Sequence, residues 1–441
     1  MEYDFSKEAE LPGKIQYDFS ELPVELQRLY LLKLPVPDIA NYCAVNPSVH
    51  KICVDDYFWL LKVEHDFPGI SQYKPENITY QQQFLDLLRI TDPHDAAKEG
   101  RLDILIYLDS LGKLPDRESD TAENGHLDVL KWLKTKGIYY IETIVTSASK
   151  GGHINILEWV GPEGLPYYRD GGIWAAQKGQ VDVLDWYETQ GILPDVEIAN
   201  EAAGKGHINV LNWLEQRRIF PTVIGANWAA KEGYIDVLNW LEARRIFPNN
   251  PNDIVIRGNI NVLEWLAQRE ILPNVDGANS AARLRFIKIL ELLEKRRIFP
   301  STRGANNVIF KWNEKDRKRG PPSDGSSLDV LNWLYSRNIY PDINGILLAA
   351  SNGNIEILDW LETHELFPNN ISNNSMNKIL YSAILYNQGN GLEWLERRGI
   401  RPNVDLANWA ADKENDRFFY REKKNINVLE WLAARGIFPN K

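Results

Sequence analysis

The chain reads as an all-α protein: a helical solenoid of about twelve helix-turn-helix units, preceded by a small helical module. Three observations predict this. A Leu-Asx/Glu-Trp-Leu anchor recurs about every 27 residues, a period that marks a stacked array. Each unit carries two short helical patterns parted by a glycine turn. Ahead of the first unit lies an apolar, non-repetitive stretch with helical spacing.

Composition supports a folded chain and narrows its partners. Of 441 residues, 44% are hydrophobic, so the chain is not disordered. An array of this length needs no single large core, because each unit packs on its neighbours. The net charge of −11 argues against nonspecific binding to acidic membranes or nucleic acid, so nucleic acid is not expected as a partner, though a local basic patch could still act. No apolar run approaches the ~20 residues that span a bilayer. The amino terminus MEYDFSKEAE has no apolar core, so no signal peptide is expected and the chain is expected to be a cytoplasmic monomer. Cys43 and Cys53 are expected to be buried, reduced thiols, with no ligand cluster for zinc.

In chain order, residues 1–18 are a polar lead-in, 19–90 the helical module and 91–441 the repeats. The module opens with Ser20 as a helix cap, Pro23 in the first turn and Glu25 at the positive end of the helix. The repeats are anchored by Trp132, Trp159, Trp186, Trp213 and Trp240, each 27 residues from the last. Trp265, Trp333, Trp360, Trp394 and Trp431 continue the series. Tyr107 starts it, and Leu292 fills one slot.

The unit ending at Trp213 shows the pattern. Pro194 and Asp195 form a turn, and residues 198–203 make the first helix. Gly206 supplies the positive φ that ends a helix cheaply. Ile208, Val210, Leu211 and Leu214 give the buried stripe of the second helix. Pro221 prevents its continuation. The interval from Leu292 to Trp333 is 41 residues, so about 14 (41 − 27) are inserted, within 311–327. A second insert falls at 412–424. Both belong in loops on one face.

Comparing units with one another sorts positions by role. Alanine pairs such as Ala175-Ala176, Ala202-Ala203 and Ala229-Ala230 barely vary and let the helices approach closely. The residue before the pair varies freely: Asp95, Trp174, Glu201, Trp228, Ser280, Leu348 and Trp409. A stacking position would not tolerate that spread, so Trp174, Glu201, Trp228 and Trp409 mark the candidate partner-binding face of the array.

Three further patterns each carry two readings. His126, His153 and His207 share one repeat position. They read as turn-stabilising residues rather than metal ligands, since units about 10 Å apart cannot share ~2 Å metal bonds. Lys136, Arg217, Arg244, Arg269, Arg296, Arg337, Arg398 and Arg435 lie four residues after the anchor. They either bind an acidic partner or complement helix ends, offset by Glu215, Glu242 and Glu294. The basic run Lys311–Arg319 is a solvated loop or an import or nucleic-acid patch. There is no phosphate loop, nucleophile elbow or His-Glu-x-x-His, so neither an enzyme nor a cofactor is expected.

The sequence Ala122-Glu123-Asn124-Gly125-His126-Leu127-Asp128-Val129-Leu130-Lys131-Trp132-Leu133 resembles the ankyrin repeat. Two departures are clear. No unit has the Thr-Pro-Leu-His opening of that family, and the period is 27, not its usual 33. The resemblance implies an almost purely helical array without protruding hairpins. The short, tryptophan-anchored form is similar to repeat proteins of large DNA viruses of protists, which would place it in a host cytoplasm.

LPVELQRLYLLKLPVPDI at 22–39 resembles the F-box. Leu22, Pro23, Glu25 and Leu26 match its opening, Leu29, Leu32 and Leu34 continue it, and Phe58-Trp59 fits its end. Asn46–Lys51 departs from it, standing where a Trp-Arg pair is common. The resemblance implies docking on a Skp-type adaptor of cullin-RING ubiquitin ligases through Leu22, Pro23, Leu26 and Leu29, with the array capturing a protein substrate. The alternative is a non-enzymatic scaffold whose amino-terminal helices only cap the array.

Overall fold

The computed structural model describes residues 22–310, 323–367, 373–385, 388–411 and 426–437. The lead-in 1–18, Ser20, residues 311–322 and the second insert 412–424 lie outside the described residues. Among the described residues the regular structure is helical, without a strand. The chain forms two compact units, residues 1–198 and 199–441, each taken by itself below.

The first unit begins with α1 (Val24–Leu32), α2 (Val36–Val45), α3 (Pro47–Cys53), α4 (Asp56–Asp66) and α5 (Tyr80–Arg89). Local chemistry sets these boundaries. Pro23 stands at the N-cap of α1, where its missing N–H costs nothing. Asp55 and Thr79 cap α4 and α5 by accepting from Tyr57 N (3.1 Å) and Gln82 N (3.1 Å). The Lys62 ammonium is buried and donates to Leu32 O (2.6 Å) and Leu34 O (3.0 Å), closing carbonyls at the end of α1. Cys43 on α2 and Cys53 on α3 are joined in a disulfide, not reduced as the sequence suggested. The connection between α2 and α3 brings their Cα atoms to 6.1 Å, within bridging range.

The module does not end in a surface. A single apolar cluster runs from Leu31, Ile39, Phe58, Trp59 and Val63 through Phe84 and Leu87 into Ala96, Ile104, Leu105, Val129 and Leu133. It thus joins the module to α6 (Pro93–Lys98), α7 (Leu102–Ser110), α8 (Ser119–Glu123) and α9 (Leu127–Thr135). A buried polar group reinforces the seam. The Arg101 guanidinium bonds both oxygens of Asp103 (3.0 and 2.9 Å) and pairs with Asp86 of α5, and Gln83 also donates to Asp103 (3.0 Å). All four side chains are buried, and the pairing of the Arg101 charge with Asp86 and Asp103 is what makes burial tolerable. The unit continues through α10 (Ile141–Gly151), α11 (Ile154–Val160), α12 (Tyr168–Lys178) and α13 (Val181–Thr189).

The second unit repeats one helix pair: α14 (Val196–Lys205) with α15 (Ile208–Gln216), α16 (Val223–Glu232) with α17 (Ile235–Glu242), and α18 (Pro251–Arg257) with α19 (Ile260–Ala267). Next come α20 (Val275–Leu284) with α21 (Ile287–Glu294), then α22 (Thr302–Val308). Further pairs follow, such as Ile343–Ser351 with Ile355–Thr363. The alanine pairs are fully buried, as at Ala202, Ala203, Ala229 and Ala230. Glycine is needed at the turn twice over. In the first unit, Gly125 has φ +87, and a Cβ there would lie 2.5 Å from the His153 ring of the next repeat. An asparagine of each first helix catches the start of the next. Asn200 Oδ1 accepts from Thr222 N (2.8 Å) and Gly225 N (3.1 Å), and Asn279 Oδ1 accepts from Ser301 N (2.8 Å). At the end of the first insert, Asp324 accepts from Ile287 N (2.6 Å) and Lys288 N (3.1 Å), capping α21.

Candidate interaction surfaces

Two surfaces follow from the sequence, and each contains residues that the fold leaves outside the core. On α1, Leu31 and Leu32 are buried while Leu26 is 49% and Leu29 57% exposed. Val24 and Tyr30 are exposed beside them, Pro23 is exposed and Leu22 half-buried. An apolar helix face left exposed in this way is a docking feature by default. Two neighbouring side chains near the middle of the helix hold it in place: Gln27 donates to Leu22 O (2.8 Å), and Arg28 pairs with Asp55 of the α4 cap (2.8 Å).

The variable column lies on the outward side of the first helices. Trp174 is 40% exposed, with the Lys150 ammonium 5.9 Å from its ring centre. Trp228, at 38%, is seated against α14, where Gly204 leaves room: a Cβ there would fall 2.9 Å from Trp228 Cβ. Glu201 is half-buried. Trp409 lies on the helix Val404–Ala411, but its side chain is outside the described residues. The same column supplies Ser280 and Asn307 to a groove of about 640 Å³ between α20 and α22, lined also by Asp276, Arg283, Arg303 and Phe310.

The basic ladder is used inside the fold. In the second unit, Arg244 stacks 3.5 Å over its own Trp240 ring, donates to Trp240 O (2.6 Å) and forks onto Glu215 of the preceding unit. Arg269 repeats this on Trp265 and Glu242, Arg337 on Trp333 and Glu294, and Arg398 on Trp394 and Glu362. Stacking and forked pairing both suit a planar guanidinium better than an ammonium. The arginine partner holds the Glu242, Glu294 and Glu362 carboxyls below the usual carboxylate range. In the first unit the rung persists as Asp109 with Lys136 (2.6 Å) and reverses sign as Lys134 with Glu163 (3.9 Å). A rung that keeps its complementarity while its charges exchange sides serves the stack rather than a ligand.

The histidine row is also internal. His126 Nε2 donates to Lys98 O (3.0 Å) and His153 Nε2 to Glu123 O (2.9 Å), each on the preceding unit. Several anchor tryptophans bond backwards too, though the indole N–H groups of Trp333 and Trp431 have no partner among the described residues. Trp240 Nε1 donates to Asn212 (2.8 Å), Trp265 to Asn239 (2.8 Å) and Trp394 to Asp359 (2.6 Å). Sequence comparison missed these acceptors, although the Asx or Glu before most anchors was in the pattern.

No family model matches the chain, and no curated relative does. Among solved structures the chain is similar to the pentatricopeptide repeat protein PPR10 in complex with an 18-nt psaJ RNA element, at 12% identity and TM-score 0.35, covering 93% of this chain and 67% of that one. A cysteine-substituted form of that complex gives the same values. PPR10 from maize gives 13% identity and TM-score 0.29, covering 96% and 77%. One expectation is corrected by this finding. Nucleic acid was set aside on net charge, yet two of these structures hold RNA. A sum over a whole chain says nothing of local patches, so acidity is no ground for that exclusion. Among the described residues no helix is long and apolar enough to cross a membrane.

Proposed function

We propose that the chain is a protein-interaction adaptor. Its amino-terminal helices dock a Skp-type subunit of a cullin-RING ubiquitin ligase, and its repeats hold a protein substrate near the ligase. The observation that carries this reading is the exposed apolar face of α1, where Leu26 and Leu29 stand out from a helix whose other side is core. The F-box resemblance supplies the partner. Catalysis would belong to the ligase, and the adaptor would act by raising effective concentration. The first-helix column of Trp174, Glu201, Trp228 and Trp409 is the proposed substrate side.

Binding of purified Skp adaptor by the full chain tests the reading. Leu26→Asp/Leu29→Asp should abolish binding with little change in the thermal midpoint, because both side chains are exposed. Absence of binding by the parent chain overturns the ligase reading. A second reading, a plain scaffold capped by its amino-terminal helices, is favoured by one observation: the inner side of the module is continuous with the core of the first repeats. It predicts no Skp binding by any variant.

A further inference from the structure

The turn that ends most of the second helices puts one residue in the left-handed region. Five units place glycine there, at Gly112, Gly137, Gly191, Gly399 and Gly436, all with positive φ and open space where a Cβ would go. Six consecutive units of the second compact unit do not. They place Arg218 (φ 59), Arg245 (φ 61), Glu270 (φ 61), Arg297 (φ 60), Asn338 (φ 59) and Glu365 (φ 58), so the cationic part of the row is its first four members. L side chains rarely adopt this conformation, so a residue kept there against the glycine alternative marks a position worth explaining. All six side chains are exposed.

The neighbouring ladder explains why the patch is strongest at one end. The rung that should join α19 to α21 is missing, because Ala267 stands in the glutamate position and Leu292 in the tryptophan position. Arg296 therefore has neither a ring to stack on nor a carboxylate to fork. Lys295, Arg296 and Arg297 are all exposed. Among the described residues, none of Arg218, Arg245, Lys295, Arg296 and Arg297 has a side-chain hydrogen bond or ion pair. The adjoining arginines Arg244 and Arg269 are already consumed by Glu215 and Glu242.

We infer that this edge, from Arg218 through Arg245 to the Lys295–Arg297 cluster, binds an extended acidic segment of a protein. Equivalent positions in successive units lie about 10 Å apart. That is the length of about three residues of extended chain. An acidic residue at every third position would therefore meet successive arginines. Glu270 decides between polyanions. It interrupts the cationic row, which a peptide accommodates by placing a neutral or basic residue opposite. A phosphate backbone, negative at every step, has no such choice. The inference rests on the reading of the repeats as the substrate-holding part, and it names that substrate's chemistry.

The test is fluorescence anisotropy with the full chain at low ionic strength. The probes are a labelled peptide Glu-Gly-Ser-Glu-Gly-Ser-Gln-Gly-Ser-Glu-Gly-Ser, with its neutral triplet placed to meet Glu270, a Gln-Gly-Ser control of equal length and an oligouridylate of similar charge. The parent should bind the acidic peptide at least about tenfold more tightly than the control. Arg218→Gly/Arg245→Gly/Arg297→Gly should lose that preference while unfolding at a temperature no lower than the parent, since glycine suits the backbone there. The corresponding lysine variant should keep most of it. Equal binding of acidic and neutral peptides, or indifference to the triple glycine variant, overturns the inference. So does tighter binding of oligouridylate through the same arginines, which would make the edge a phosphate surface. Leu26→Asp/Leu29→Asp should leave peptide binding intact and the triple glycine variant should leave Skp binding intact, so failure of one reading is visible apart from failure of the other.

Discussion

Glu118 is fully buried, yet one carboxylate oxygen alone is used: Oε1 accepts from Tyr140 N (2.8 Å), while Oε2 has no partner. Burial pushes its carboxyl above the usual range, against the smaller opposing effect of the Tyr140 bond. The sign follows. A raised carboxyl binds protons more readily in the folded state, so its ionisation works against folding, and stability declines as pH rises through the folded value. Glu118→Gln keeps an acceptor for Tyr140 and removes the charge. It should raise the thermal midpoint at neutral pH, with the gain shrinking as the pH is lowered. Glu118→Ala, which loses the acceptor, should cost about 1–3 kcal/mol. A glutamine variant less stable than the parent at neutral pH would mean that the charge itself is used. Sequence comparison could not find this residue, since nothing in its type distinguishes a buried glutamate from a solvated one. The column of Trp174 and Trp228 was legible, because variation between units reports exposure directly, and both side chains are exposed.

At the level of the helix pair, the sequence determines most of what the structure contains. The glycine turn, the alanine pair and the aliphatic stripe each report a local requirement, and each falls where the spacing places it. What the spacing hides is which residue meets which across the stack. Arg244 and Glu215 are 29 residues apart, and only the register of one unit on the next brings them together. The Glu294–Arg337 rung spans the first insert, with Nε to Oε1 at 2.8 Å and Nη2 to Oε2 at 2.7 Å, so it holds the pairing across the longest interval. Both side chains are about a third exposed, which screens the pair. A double-mutant cycle on Glu294→Ala and Arg337→Ala should give a coupling of about 0.5 kcal/mol. Glu294 is lowered by its hydrogen bond to Arg337, so this coupling is present above the ordinary carboxylate value and is lost as pH falls through the lowered one. A coupling that persists in acid would assign the effect to Arg337 stacking on Trp333 instead. Arg337→Lys should retain the charge but lose the fork and the stacking.

For the molecule as a whole, the change of composition near residue 90 is plain in the sequence, but the continuity of packing across it is not. Apolar residues on both sides read alike whether they fill one core or two. Here Phe84 and Leu87 of α5 share a cluster with Ile104 and Leu105 of α7, and Arg101 is satisfied from both sides of the boundary. The module therefore has two faces with different duties. Its inner face closes the first repeats, and its outer face on α1 stays exposed. Removing residues 22–66 tests this division. The cut takes away Leu31, Phe58, Trp59 and Val63, and leaves Phe84 and Leu87 without cover. In an array each repeat is stabilised chiefly by its neighbours. Loss should therefore be local: hydrogen exchange should accelerate in α6, α7 and α9, while α19 and α21 keep their protection. Leu26→Asp/Leu29→Asp in the intact chain should leave exchange unchanged everywhere. If the truncated chain protects α6 and α7 as well as the parent does, the module is an independent appendage, and its shared cluster with the repeats contributes nothing to their stability.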